Sequence, residues 1–121
     1  MATANLFVDW GAPHVPAWQV NNGLPIVAGA TTAFGLFSVS GVTPPLTVTT
    51  QGSGAGLYVT AIDGVVQDPG TGFYWVYFVN GNMPTVGCDA YLLQDGDSIA
   101  WDYKHFSSGL SQPNHPGLEE Q

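Results

Sequence analysis

The run Phe73–Val79 (FYWVYFV), closed by Asn80-Gly81, constrains the fold more than any other stretch of this chain. Every position in it is aromatic or β-branched, the residue types that suit a pleated, half-buried surface. Strand alternation sends Phe73, Trp75, Tyr77 and Val79 to one side and Tyr74, Val76 and Phe78 to the other. Both faces are therefore apolar. Such a strand is either covered on both sides or offers one side to a ligand or partner. Asn-Gly accepts positive φ at both central turn positions, which predicts a type I′ hairpin. A second stop stands at Asp95-Gly96-Asp97, and residues 98–103 (SIAWDY) resume as a strand.

The 121 residues make one domain, long enough to bury a hydrophobic core. Sixteen glycines and nine prolines imply many turns, and with the Val and Thr content they favour an all-β or β-rich α+β fold. Charged residues are only 8%, so much of the surface is Thr, Ser, Asn, Gln and Gly. Nine acidic residues face a single base, Lys104, and the net charge is -8. Without a cationic footprint, nucleic acid and anionic membrane surfaces are excluded as partners. There is no apolar run of about 18 residues to insert in a membrane, and no basic-then-apolar export signal. The single Cys88 excludes an internal disulfide without fixing the compartment.

Read in order, residues 5–10 (NLFVDW) form a first strand, broken by 11–16 (GAPHVP). Residues 18–22 are a short extended piece ending at the turn dipeptide Asn22-Gly23, and 24–27 form a second strand. A short helix is expected over 32–39, with Thr31 as N-cap and Gly41 as stop. Residues 42–50 are irregular at Pro44-Pro45 and then strand-like, 51–56 (QGSGAG) a turn, and 57–62 (LYVTAI) an alternating strand. Asp63-Gly64 opens a turn with Val65-Val66 as a short return. From His105 onward the polar, Pro- and Gly-rich sequence reads as a loosely ordered tail.

Trp75 and Tyr77 on one face could form a flat platform for a large ring system, with the indole N–H and phenol O–H as polar handles. They serve equally as core residues of a two-layer domain. His14, His105 and His115 lack the spacing of a zinc site and read as loop histidines. His105 is the one whose imidazole is a candidate ligand to a held metal centre. Asp89, Asp95 and Asp97 do not follow the twelve-residue calcium-loop pattern, so Asp95-Gly96-Asp97 is read as a turn. Cys88 lacks a neighbouring base and reads as a small buried hydrophobe. With no nucleophile elbow, phosphate loop or dinucleotide fingerprint, the chain is not expected to be an enzyme, and no metal or cofactor is required.

Four motifs stand in one order: residues 58–64 (YVTAIDG), 74–81 (YWVYFVNG), Val86-Gly87, and 92–101 (LLQDGDSIAW). With the upstream 27–32 (VAGATT), they resemble the C-terminal β-domain of transcobalamin and intrinsic factor and its bacterial relatives in the family DUF4430, over residues 5–104. The resemblance implies an α+β, β-rich, small β-grasp-like domain of mostly antiparallel strands with one short helix, spanning 1–104 before the tail 105–121. In the vertebrate carriers this domain closes over one side of cobalamin while a helical domain holds the other. Carried across, the ligand-binding positions are Trp75, Val76 and Tyr77, with Thr60 and Ala61 on the neighbouring strand. The vertebrate pattern has glutamine where this chain has Val76, which cannot give the amide hydrogen bonds that a corrinoid's side arms ask for.

The expected function is a non-enzymatic binding module that presents the aromatic strand to a corrinoid or other large apolar ligand. A second, helical domain or a homodimer is an implied partner, and the resemblance implies an extracellular or cell-surface location. The alternative is a bacterial surface interaction module that docks on a partner domain, or on itself, through the same aromatic face.

Overall fold

The computed structural model describes residues 2–11, 18–39, 41–42, 45–52, 58–84 and 86–105. His14, His115, most of the 51–56 turn and the tail beyond His105 lie outside the described residues. The described residues hold seven strands: β1 (Ala2–Asp9), β2 (Trp18–Ile26), β3 (Val48–Gln51), β4 (Tyr58–Ile62), β5 (Val65–Val66), β6 (Phe73–Val79) and β7 (Ser98–His105). They form a four-stranded sheet in the order β2-β1-β7-β6 and a three-stranded sheet in the order β3-β4-β5. All pairs are antiparallel except the central β1–β7 pair, in which Leu6 stands beside Ile99 and Val8 beside Trp101. The chain is thus a small β-rich domain of two mostly antiparallel sheets with almost no helix.

Register explains the core. Leu6, Val8, Leu24, Trp75, Val79, Ile99 and Trp101 share one face of the larger sheet and pack with Val59 and Ile62 of β4. On the opposite face Phe7, Phe78 and Ala100 form a smaller buried cluster, with Val76 packed against it. The strand that is apolar on both faces therefore packs on both faces, though four of its residues stay half-buried, and the first five residues of central β7 are all buried.

Several local expectations change. Asn22-Gly23 does not end a strand: β2 runs straight through it with a bulge, where the register slips between Ala4 and Leu6. Gly23 takes φ 67°, and its N–H donates to Asn5 Oδ1 at 2.9 Å. The helix expected over 32–39 is only a four-residue 3-10 turn, Gly35–Ser38. Its would-be first turn is committed elsewhere. Gly29, Ala33 and Phe34 donate their N–H groups to the carbonyls of Leu93, Tyr91 and Cys88, at 2.8, 2.9 and 3.0 Å. Thr31 is not the cap: its Oγ1 accepts from the Val27 N–H, and Thr32 Oγ1 accepts from Gly35, each at 2.9 Å. The 3-10 turn still plugs Leu36 and Phe37 into the core.

Asn80 (φ 52°) and Gly81 (φ 83°) have the expected positive-φ pair, yet no return strand follows among the described residues. Val79 and Asn82 form one isolated bridge, after which Pro84 removes a donor. Asp63 (φ 51°) and Gly64 (φ 82°) do make a two-residue hairpin, with Ile62 opposite Val65. His105 belongs to β7 rather than following it, opposite Phe73. Among the described residues no helix is long and apolar enough to cross a membrane.

Candidate functional site

The β6–β7 pairing builds an aromatic ladder. Phe73 stands opposite His105, Trp75 opposite Tyr103, and Tyr77 opposite Trp101. Cross-strand neighbours on one face approach closely enough for ring contact. Phe73 stacks on Tyr103 (5.3 Å between centroids, 12° between planes), and His105 meets Phe73 edge-on at 5.0 Å. Trp75 tilts against Tyr103 at 5.1 Å, and Tyr77 stacks on Trp101 at 5.2 Å and 27°. Beyond Trp101 the ladder continues into Phe37, at 5.4 Å. The rungs differ in exposure: Trp75 and Trp101 are buried, whereas Phe73, Tyr77, Tyr103 and His105 are half-buried.

The polar tips of these rings are spent on backbone carbonyls. Trp75 Nε1–H donates to Val65 O at 2.8 Å, Tyr103 O–H to Val66 O at 2.7 Å, and Tyr77 O–H to Val86 O. Trp10 Nε1–H likewise donates to Ile62 O at 3.0 Å. The two-residue strand β5 is therefore fastened onto the ladder by two rings. Trp101 Nε1 is the exception, a buried donor with no hydrogen-bond partner among the described residues.

Of the positions carried over by resemblance, Trp75 and Tyr77 come together on the ladder. Val76 points to the other face, against Phe7, Phe78 and Ala100. Thr60 and Ala61 are buried on β4. Thr60 Oγ1–H donates to Thr49 O at 3.2 Å and its carbonyl accepts from the Gln67 N–H at 2.7 Å, while Ala61 pairs with Val66 beside the carbonyl that holds Trp75.

Titration follows burial. Desolvation lifts the Tyr77 phenol well above its usual range, with Cys88 and Tyr91 adding to the lift. Burial pushes the Cys88 thiol up to about 11, and nearby Asp89 pushes the same way. Tyr103 is raised by desolvation and then by Asp68, and Tyr91 by desolvation and then by Asp97. The acids at 95–97 act as turn ligands: Asp95 Oδ1 accepts from the Thr3 N–H at 2.9 Å and Asp97 Oδ2 from the Gln94 N–H at 2.8 Å. Among the described residues no group of three or more His, Cys, Asp or Glu is arranged to hold a metal ion.

One feature escapes a sequence reading. Asp9, Asp102 and Lys104 line the outer face of β1 and β7, with Asp9 in register with Asp102, and all three are buried at 7%, 0% and 4% exposure. The signal was the polar alternation of Asp102 and Lys104 within the last strand, which by itself reads as a solvated face. The chain's only cation is thus not a surface group.

Residues 46–105, just under half the chain, match the family described as Domain of unknown function (DUF4430). No curated protein matches the sequence. Among solved structures, the chain is similar to a candidate metal-binding protein from Ruminococcus gnavus ATCC 29149. There the TM-score is 0.62 at 16% identity, over 87% of this chain and 98% of that one. It is also similar to haptocorrin in complex with Cbi, with a TM-score of 0.70 at 15% identity over 86% of this chain. The chain spans 25% of haptocorrin's length. At such identities the likeness is one of fold: this β-rich architecture is shared with a bacterial protein of nearly the same extent and with one portion of haptocorrin.

Proposed function

We propose that this chain is a non-enzymatic binding module of transcobalamin-like type, which takes a corrinoid or another large, mostly apolar ring ligand against the β6–β7 ladder. The observation that carries the reading is the ladder itself. Phe73, Tyr77 and Tyr103 present half-buried rings, with buried Trp75 between Phe73 and Tyr77 and His105 at the end. Flat rings of this kind supply contact area at little cost in side-chain entropy. The fold likeness to haptocorrin in complex with Cbi supports a corrinoid as the ligand class. In this reading Tyr77 and Tyr103 touch the ligand, Trp75, Thr60 and Ala61 hold the surface from below, and Val76 backs β6 from the other face.

The order β2-β1-β7-β6 around a parallel central pair supports a β-grasp-like description of the larger sheet. The same reading assigns an extracellular or cell-surface location and a helical partner domain over the ligand's other side. Binding by this chain alone is weak, because a shallow face buries one side of a ligand.

Titration with cobalamin and with cobinamide, followed by tryptophan fluorescence and visible absorption, tests the reading. Saturable quenching is expected in the parent chain and in a folded Trp75→Phe variant, and its loss in Tyr103→Ala. A shifted visible band abolished by His105→Ala would add axial ligation. No response at ~1 mM corrinoid ends the corrinoid reading. Concentration-dependent association without any corrinoid response points instead to docking through the same aromatic face.

A further inference from the structure

The ladder's outer strand carries a second feature, in its backbone. β6 is an edge of the four-stranded sheet. Hydrogen bonding along an antiparallel strand alternates between its two sides. Asn80 N–H donates to Ser98 O at 2.8 Å, which fixes the alternation: residues 74, 76, 78 and 80 turn their backbone groups toward β7. Residues 73, 75, 77 and 79 turn theirs outward. At the two ends these outward groups are used, because Phe73 N–H donates to Asp68 O at 2.9 Å and Val79 N–H to Asn82 O at 2.8 Å. Between them, the backbone N–H and C=O groups of Trp75 and Tyr77 have no backbone partner among the described residues. The result is a short open edge bounded by a bridge at each end.

The charge around this edge has one sign. Asp68 is exposed and bridges to Phe73 at one end. At the other, Asn82 bridges to Val79, and Val86 O accepts from the Tyr77 O–H. The chain's single cation, Lys104, is buried. A second copy of the chain brings the same acids and a net charge of -8 to the contact. An extended segment with lysine or arginine at the end that meets Asp68 brings complementary charge.

We propose that the outer edge of β6, at Trp75 and Tyr77, is a strand-addition site for an extended peptide segment with a cationic end. The peptide's backbone pairs with the outward N–H and C=O groups of those two residues, and its terminal cation faces Asp68. The site goes beyond the corrinoid reading and does not rest on it, since it uses backbone groups rather than the ring faces.

Amide exchange measured by NMR on the intact chain tests this with a capped peptide, Lys-Val-Thr-Val-Thr-Lys. In the peptide-free chain the Trp75 and Tyr77 amides are expected to exchange at least ~10-fold faster than those of Val76 and Phe78. Adding the peptide slows the first pair and leaves the second unchanged. A peptide with glutamate in place of lysine gives no protection, and neither does one whose valines are N-methylated. No protection by the lysine peptide at ~1 mM overturns the site. Equal protection by the glutamate peptide overturns the cationic class, and protection that grows with chain concentration in the absence of peptide replaces the peptide with a second copy.

Discussion

Cys88 carries the clearest consequence of burial at the level of one residue. Its thiol is raised from 9.0 to about 11, so the folded chain favours the neutral form. The stability this gives is complete below pH 9 and is lost as pH rises through 11. Tyr77, Tyr103 and Tyr91 are raised above 10.0 and add to the loss at still higher pH. The unfolding free energy from urea titration should hold steady up to pH 9 and then fall, by about 1–2 kcal/mol once Cys88 has ionised. Cys88→Ala should remove the first part of that fall and leave the later, tyrosine part. A decline of unchanged onset in Cys88→Ala would mean that the thiol contributes nothing.

Among the elements, β5 shows how a two-residue strand persists. Its ladder contact with β4 is short, and Trp75 and Tyr103 add two side-chain hydrogen bonds to its carbonyls. Tyr103→Phe removes one of these while keeping the ring that stacks on Phe73. A hydrogen bond of this kind contributes about 1 kcal/mol, so exchange of the Gln67 amide, which donates to Thr60 O, should quicken about fivefold. An unchanged rate would show that β5 is held by packing alone. The two positive-φ turns make a related contrast. Asp63-Gly64 is followed by Val65-Val66, which pairs back, whereas Asn80-Gly81 is followed by Asn82, Met83 and Pro84, which do not form a strand. Turn chemistry sets the reversal; the residues after it decide whether a hairpin exists.

At the scale of the whole molecule, charge is the dominant asymmetry. A net charge of -8 with the lone lysine buried leaves the carboxylates to repel one another across the surface. Screening should relieve this: raising sodium chloride from ~0.05 to ~0.5 M is expected to raise Tm by about 2–5 °C. A fall in Tm would mean that the buried Asp9–Asp102–Lys104 row outweighs the surface repulsion. Such a row is costly to bury unless well compensated, and it occupies the outer face of the two central strands.

Much of this architecture was legible in residue order. Alternation within Phe73–Val79 fixed which side chains share a face, and the positive-φ dipeptides at 63–64 and 80–81 marked true reversals. These are local properties, set by side-chain period and backbone sterics, and a chain carries them wherever it folds. Other features only the tertiary structure decided. Asn22-Gly23 became a bulge because β1 pairs across it, and Gly29, Ala33 and Phe34 gave their N–H groups to 88–93 instead of to a helix. Likewise Trp75 spent its indole on β5, and Lys104 went inside. In each case the partner lies far along the chain, and long-range pairing outweighs local preference once it satisfies groups that would otherwise be buried without partners.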